Sequence, residues 1–230
     1  MDRHVVVLTG AGISAESGIP TFRDSGGLWQ KHDFMELASI QGWQKNPELV
    51  LEFYNDRRRQ LNQVEPNPAH VALAELEKRV LVTIVTQNVD DLHERAGSKT
   101  VIHLHGELRK VRSTRDPKLV LNWADDLRLG DLCPLGSQLR PHIVWFGEEV
   151  PMIGTAAGIV STATELMIVG TSMQVYPAAS LVQFVSPEIP VYYIDPHPSV
   201  SAEFENLGQF TLYAEKASTG VAKAIERILS

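Results

Sequence analysis

Cysteine is nearly absent: the 230 residues hold one, Cys133. A single thiol excludes an internal disulfide and suits a reducing compartment. Long apolar runs are missing too, and none approaches the roughly 20 residues that a membrane span needs. Positive charge is in deficit. Twenty-one Lys and Arg face 28 Asp and Glu, a net charge of −7, which suggests no nucleic-acid surface and disfavours non-specific contact with phosphate. A strand is expected from Val5, and with it no signal peptide. Internal repeats and low-complexity tails are also missing. The expected setting is therefore the cytoplasm, with neither membrane nor nucleic acid as partner. What is present is ordinary for a globular protein: 43% apolar and 21% charged residues, with length for one substantial core or a large domain carrying a smaller insertion.

The chain is organised around Val5–Ser14, where a run of β-branched and apolar residues breaks at Gly10-Ala11-Gly12 and passes into a helical start. Glycine there lets backbone approach a ligand, and N–H groups at a helix start favour phosphate. Read alone, the same residues equally make a ligand-free turn, because Phe22–Trp29 reads as loop and not as the acidic second strand of a dinucleotide fingerprint. Residues 15–35 are rich in Gly, Ser, Asp and Pro and read as a mobile loop. Asn46-Pro47-Glu48 signals a helix over 47–61. Pro66-Asn67-Pro68 ends it and starts another, with Val71, Leu73, Ala74 and Leu76 as its apolar face. Strand Val80–Val85 leads to Thr86-Gln87-Asn88, then a short helix over 89–96 closed by Gly97 as a left-handed cap. Strand Val101–Leu104 ends at His105-Gly106. Between Glu107 and Glu149 the rhythm lapses into short strand-like runs (119–121, 143–146), read as a small insertion module. It returns with a helix near 152–163, strand Leu166–Val169, a helix after Pro177, strands Val191–Ile194 and Phe210–Tyr213, and a final helix begun by Ser218. Apolar strands alternating with helices predict an α/β fold, a doubly wound parallel (Rossmann-like) sheet with a smaller insertion. Ligands of such sheets lie at the carboxyl ends of strands. Gly10–Gly12, Gln87–Asp90, His105, Gly170–Ser172 and Asp195 all follow predicted strands directly.

Six stretches in this order resemble the sirtuin family of NAD-dependent protein-lysine deacylases, its bacterial branch most: Gly10–Ser14, Gly18–Arg23, Thr86–Gly97, His103–Gly106, Phe146–Glu148 and Gly170–Ser172. The resemblance runs from about Val5 to the last helix. It implies one catalytic domain over 1–230, with a Rossmann-like part at about 1–28, 67–106 and 150–230 and a small module from about 29–66 and 107–149. Spacing alone cannot rank His103 against His105. The His-Gly pattern of the family picks His105 as general base, a role an imidazole suits near neutral pH.

The resemblance also implies a pocket for NAD as co-substrate. Gly10, Ala11, Gly12, Ser14, Glu16, Thr21 and Trp29 belong to it. Arg23 approaches phosphate and Phe22 screens the reacting carbon. Gln87, Asn88 and Asp90 hold the nicotinamide half, Gly170, Thr171, Ser172 and Asp195 the adenosine ribose, and Ala217 the adenine. Thr21 and Asp195 depart from the residues usual there. An acyl-lysine peptide would lie between Val144, Trp145, Phe146, Gly147 and Glu148 on one edge and Val175 on the other, by strand addition. Its acyl oxygen attacks C1′ of the ribose, nicotinamide leaves, and His105 takes a ribose hydroxyl proton, so that free lysine and O-acyl-ADP-ribose result.

Most relatives hold zinc on two cysteine pairs. Here Ser113 replaces one cysteine and Cys133 stands alone, so no zinc is expected, and Leu119, Leu121, Trp123, Leu132 and Leu135 are expected to pack in its place. Tyr54 and Arg57, three apart on the 47–61 helix, resemble the acyl-pocket pair of sirtuins that accept succinyl-lysine, although Arg57-Arg58-Arg59 also reads as a solvated basic run. An ADP-ribosyltransferase using the same NAD pocket, and a non-catalytic NAD or ADP-ribose sensor, are the rival functions. The chain reads as a monomer, although its sequence does not reveal the oligomeric state.

Overall fold

Alternate residues of a strand point to opposite faces of a sheet, so a strand covered on both faces is apolar throughout. The first strand, β1 (His4–Thr9), shows this: Val5, Val6 and Val7 are fully buried. Val5 and Val7 pack in one core with Leu73 and Val221, whereas Val6 and Leu8 pack in another with Ala156 and Val160. The computed structural model describes residues 3–21, 33–199, 204 and 207–230. Among these, six strands form one sheet in the order β3-β2-β1-β7-β8-β9. They are β1, β2 (Leu81–Thr86), β3 (Val101–His103), β7 (Glu165–Val169), β8 (Pro190–Ile194) and β9 (Gln209–Tyr213). Every neighbouring pair is parallel, with Val6 facing Thr83 on one side and Leu166 on the other. The strand order reverses between β1 and β7, the switch point where a crevice opens. The doubly wound parallel sheet expected from sequence is the one observed.

The helices follow their local signals. The short α1 (Ala11–Ala15) leaves β1 at the glycine turn. Helix α4 (Pro47–Leu61) starts at Asn46, whose side chain accepts from Leu49 N, with Pro47 at its first position. In α5 (Pro68–Leu76), Asn67 and His70 form a reciprocal cap. Helix α6 (Leu92–Ala96) ends at Gly97, φ +108°, the left-handed cap expected there. Helices α7 (Ile153–Val160) and α8 (Ala217–Leu229) flank the later strands, and a 3-10 turn runs over Ala178–Phe184. Helix α8 begins one residue before the predicted Ser218.

Four details differ from the sequence reading. Val71 lies outside the face of α5, at 45% exposure, while Ala69 and His70 turn inward with Leu73 and Leu76. Helices α2 (Phe34–Leu37) and α3 (Ile40–Lys45) occupy a stretch whose glycine and polar residues give no helical period. Where the parallel rhythm lapses, an antiparallel sheet has the order β5-β4-β6, from β4 (Gly106–Ser113), β5 (Val120–Asn122) and β6 (Leu139–Ile143). Strand β4 is hidden in sequence because Arg109, Lys110 and Arg112 interrupt its apolar residues and its register shifts between Gly106 and Val111. Finally, Leu132 and Leu135 are 56% and 49% exposed and do not pack in the module. Its core is Leu51, Val111, Leu127, Cys133 and Leu139, flanked by Leu119, Leu121 and Trp123 as expected.

Candidate active site

The turns after β1, β2, β3, β7 and β8 open into one cavity of about 370 Å³, closed on its far side by α4 and residues 143–148. Its lining brings together Gly10, Ala11, Gly12, Thr21, Gln87, Asn88, Asp90, His105, Gly170, Thr171, Ser172 and Asp195 with Tyr54, Arg57, Val144, Trp145, Phe146, Gly147, Glu148 and Val175. Phe22, Arg23 and Trp29 lie outside the described residues. Ser14 stands just behind the lining, donating to Asp90 at 3.0 Å. Two of the expected residues stand apart from this lining. Ala217 is buried in the core beside Val221 and does not line the cavity. The Glu16 carboxylate accepts from Ser218 N at 3.0 Å and Ser218 Oγ at 2.7 Å, so it ties the start of α8 to α1 and does not line the cavity either. Ile19, Phe53, Gln60 and His197 also line it, the last three unmarked in sequence because they fall outside the motifs that carry the resemblance.

The glycines let two turns approach closely. A Cβ on Gly10 would stand 2.7 Å from Gly170 O, and one on Gly170, at φ +60°, only 2.2 Å from Ile13 N. Gly10 N and Gly12 N already donate to Val169 O and Gly170 O at 3.0 and 2.8 Å. These glycines let the turns after β1 and β7 close on each other; their N–H groups are not held in reserve for phosphate.

His105 and His103 separate clearly. His103 has both ring nitrogens engaged, Nδ1 with Asn88 O at 3.0 Å and Nε2 with Glu94 at 2.7 Å. Burial alone would lower its pKa, but the Glu94 carboxylate reverses this and holds it raised. His105 Nδ1 meets Gln87 O at 3.1 Å. A carbonyl only accepts, so Nδ1 carries the hydrogen and Nε2 the lone pair, which no described residue takes. Burial lowers the His105 pKa despite that hydrogen bond, which keeps the ring neutral and basic. Gly106, φ +84°, follows it, and Val144 N donates to His105 O at 2.9 Å, so the residue bearing the base also carries the edge of the cleft.

Around it, Gln87 Nε2 donates to Thr171 Oγ1 at 2.9 Å, bridging the turns after β2 and β7. Asn88 Nδ2 donates to Gly10 O and Ser14 Oγ at 3.1 and 3.2 Å, leaving Oδ1 without a partner among the described residues. Burial pushes the Asp90 carboxyl up to about 6. His197 N donates to Asp195 at 2.8 Å. Asn88 Oδ1 and the Asp90 and Asp195 carboxylates are acceptors, the groups that ribose hydroxyls need.

The edge at 144–148 is held from behind. Glu148 accepts from Arg112 at 2.8 Å, from Arg140 at 2.8 Å and from Trp145 N at 2.8 Å. Its carboxylate is thus spent on the fold. The Arg140 guanidinium lies 3.3 Å from the centroid of the Trp145 ring, and Trp145 Nε1 donates to the Tyr54 hydroxyl at 3.1 Å. Because that oxygen accepts, the hydroxyl hydrogen of Tyr54 remains available; burial raises its pKa and keeps it protonated. The three arginines of α4 part company. Arg59 joins Glu52, Asp56 and Asp126 at the surface, and Arg58 donates to Leu108 O and Asn55 at 2.9 and 2.7 Å. Arg57 lines the cavity beside Phe53, its Nε and Nη1 buried without a hydrogen-bond partner. Only Arg59 fits the reading of a solvated basic run.

In the small module, the buried Cys133 thiol lies 3.3 Å from Ser113 Oγ and 3.1 Å from Ser137 Oγ. Those hydroxyls lower its pKa to about 7. Among the described residues, no three or more His, Cys, Asp or Glu side chains gather as for a metal ion.

Comparison with known proteins identifies the family. The Sir2 family pattern matches residues 10–177. An NAD-dependent protein deacylase of Helicobacter pylori (strain J99 / ATCC 700824) is 62% identical over 194 residues, 84% of this chain and 83% of the relative. One from Bacteroides thetaiotaomicron is 54% identical over 202 residues, covering 85% and 86%. A crystal structure of a Sir2 homologue–NAD complex superposes with a TM-score of 0.85 at 40% identity, over 100% of this chain and 91% of that one. A Sir2 protein bound to acetylated peptide gives 0.79 at 31%, covering 98% and 93%. On sequence and fold alike, the chain belongs to the sirtuin (Sir2) family.

Proposed function

We propose that the chain is an NAD-dependent protein-lysine deacylase that removes acetyl and succinyl groups, releasing nicotinamide and O-acyl-ADP-ribose. The deacylase reading is supported by relatives of that name and by related structures with NAD and with acetylated peptide. NAD, as co-substrate, supplies the acceptor for the acyl group. His105 Nε2 takes the ribose hydroxyl proton. Asn88, Asp90 and Asp195 orient hydroxyl and carboxamide groups, and Gln87 and Thr171 hold the two sides of the pocket together. The peptide backbone lies along 144–148 and opposite Val175. Holding two substrates in one cleft supplies much of the rate by orientation.

The observation that carries the finer reading is the half-buried Arg57, whose Nε and Nη1 are buried without a hydrogen-bond partner. Buried donors left unpaired are costly unless a ligand completes them. Beside it the Tyr54 hydroxyl also offers a hydrogen, so this end of the cavity presents donors to a distal carboxylate. We read the protein as one domain with the boundaries given above, acting as a monomer in the cytoplasm, without zinc. The test is incubation with NAD and acetyl- or succinyl-lysine peptides, with products weighed by mass spectrometry. Transfer of labelled ADP-ribose to protein without loss of acyl groups would instead make it an ADP-ribosyltransferase.

A further inference from the structure

Two histidines outside the cavity, His70 on α5 and His93 on α6, are 0% and 1% exposed, and their rings meet edge to face with centroids 4.9 Å apart. The donors and acceptors around them assign each ring its tautomer. Asn67 N donates to His70 Nδ1 at 3.3 Å, which leaves the hydrogen of neutral His70 on Nε2. Thr9 Oγ1 spends its hydrogen on Thr86 Oγ1 at 2.8 Å. Its contact with His93 Nε2 at 3.1 Å can therefore only be one in which the histidine donates. His93 thus holds its hydrogen on Nε2 and a bare lone pair on Nδ1. Thr86 Oγ1 accepts a second hydrogen, from Asn88 N at 3.0 Å. The chain ends at Asn88, whose side-chain amide is clamped to the glycine turn. His70 Nε2 and His93 Nδ1 have no hydrogen-bond partner, both buried and on touching rings.

We propose that His93, backed by His70, is a positioning residue of the NAD pocket: as the neutral Nε2–H tautomer it fixes the Thr9 and Thr86 hydroxyls, and through them the main chain of Asn88. The inference rests on the reading of Asn88 as a contact of NAD. Burial that lowers the pKa of both rings keeps them neutral. A His70 cation would turn its Nδ1–H against Asn67 N, and His93 as the other tautomer would draw to Nε2 the hydrogen that Thr9 gives to Thr86, loosening the link between Thr9 and Thr86.

The assignment is tested on the intact protein. Nitrogen-15 spectra of the histidines should show His93 protonated on Nε2 at pH 7; an Nδ1–H signal overturns the proposal. In kinetics, His93→Leu should raise KM for NAD about ten-fold while KM for acyl peptide stays within about two-fold. His93→Gln, whose amide can still donate to Thr9, should recover most of the loss. Thr9→Val should raise KM for NAD similarly, and adding His93→Leu to it should cost little more, because the two act through one chain. Independent, multiplying losses, or equal rises in both KM values, would reduce His93 to a packing role. Should His93→Leu fail to fold, the Thr9→Val and His93→Gln pair and the spectra decide. Absence of NAD binding by the unaltered protein would sink the NAD reading itself and leave the tautomer assignment standing or falling on the spectra.

Discussion

At the scale of single residues, the site is decided by which polar atoms are already spent. His103 has given both nitrogens to the protein; His105 retains one. Replacing His105 with alanine should therefore lower deacylation by about 10³-fold or more while NAD binding stays within a few-fold. Near-parental turnover by the mutant would show that another group takes the proton. Because burial lowers the His105 pKa, the base form persists below the ordinary value of 6.5. The acid limb of kcat/KM should fall with an apparent pKa under 6.5, and a limb above 7 would contradict the assignment. The same logic applies to Arg57. If its free guanidinium reads a carboxylate, Arg57→Met should cost roughly ten- to a hundred-fold on succinyl peptide, from a charge-assisted pair worth about 1.5–3 kcal/mol. Deacetylation should be largely kept. Equal losses on both peptides would mean that Arg57 supports the fold.

Elements matter here through their ends. Strands β1 and β7 deliver two turns so close that neither tolerates a side chain. Gly170→Ala would put a Cβ 2.2 Å from Ile13 N at a φ of +60°. Backbone atoms cannot swing aside, so the cost should reach about 2–3 kcal/mol, a fall in Tm of roughly 5–10 °C, with weakened NAD binding. An unchanged Tm would show that the two turns can part without loss. Helix α4 works along its length: three successive arginines point to solvent, core and cavity because 100° of rotation separates each from the next. Their separate placements were not legible in sequence, where the family pattern singled out Arg57 alone. A run of three like charges contains nothing that tells the three apart.

For the whole molecule, two predictions concern conditions. Protein purified without chelator should contain well under one zinc per chain by elemental analysis, and chelator should leave its Tm unchanged. One tightly held zinc would refute the reading of the small module as packed on Cys133, Leu127 and Val111. Stability should fall as pH drops below 6.5. Buried His70 has its folded pKa lowered to about 4, and His93 lies well below its ordinary value. Between 6.5 and 4 the unfolded chain therefore binds protons that the folded one refuses, and acid favours unfolding. Asp90, raised to about 6, and His103, held raised by Glu94, work in the opposite sense, but the lowered rings of His4, His105 and His142 act with His70 and His93. A Tm that did not drop from pH 7 to pH 5 would mean that these histidines are solvated.

By itself the sequence determined the parallel sheet and its site-bearing ends. Buried strands must be apolar on both faces, caps and prolines mark helix starts, and ligands gather where strands end, so these features are written locally. Gly97, Asn46-Pro47 and the runs at Val5 and Leu166 carried that information within a few residues. Only the tertiary structure decided which polar groups were still available. Glu16 and Glu148 have ordinary site chemistry, yet Ser218 takes one and Arg112 with Arg140 takes the other. Strand β4 likewise owes its place to partners at 120–122 and 139–143, and no local period announces it. The physical reason is common to both. A hydrogen bond or ion pair between residues far apart in the chain consumes a donor or acceptor without leaving any mark in the spacing of either partner.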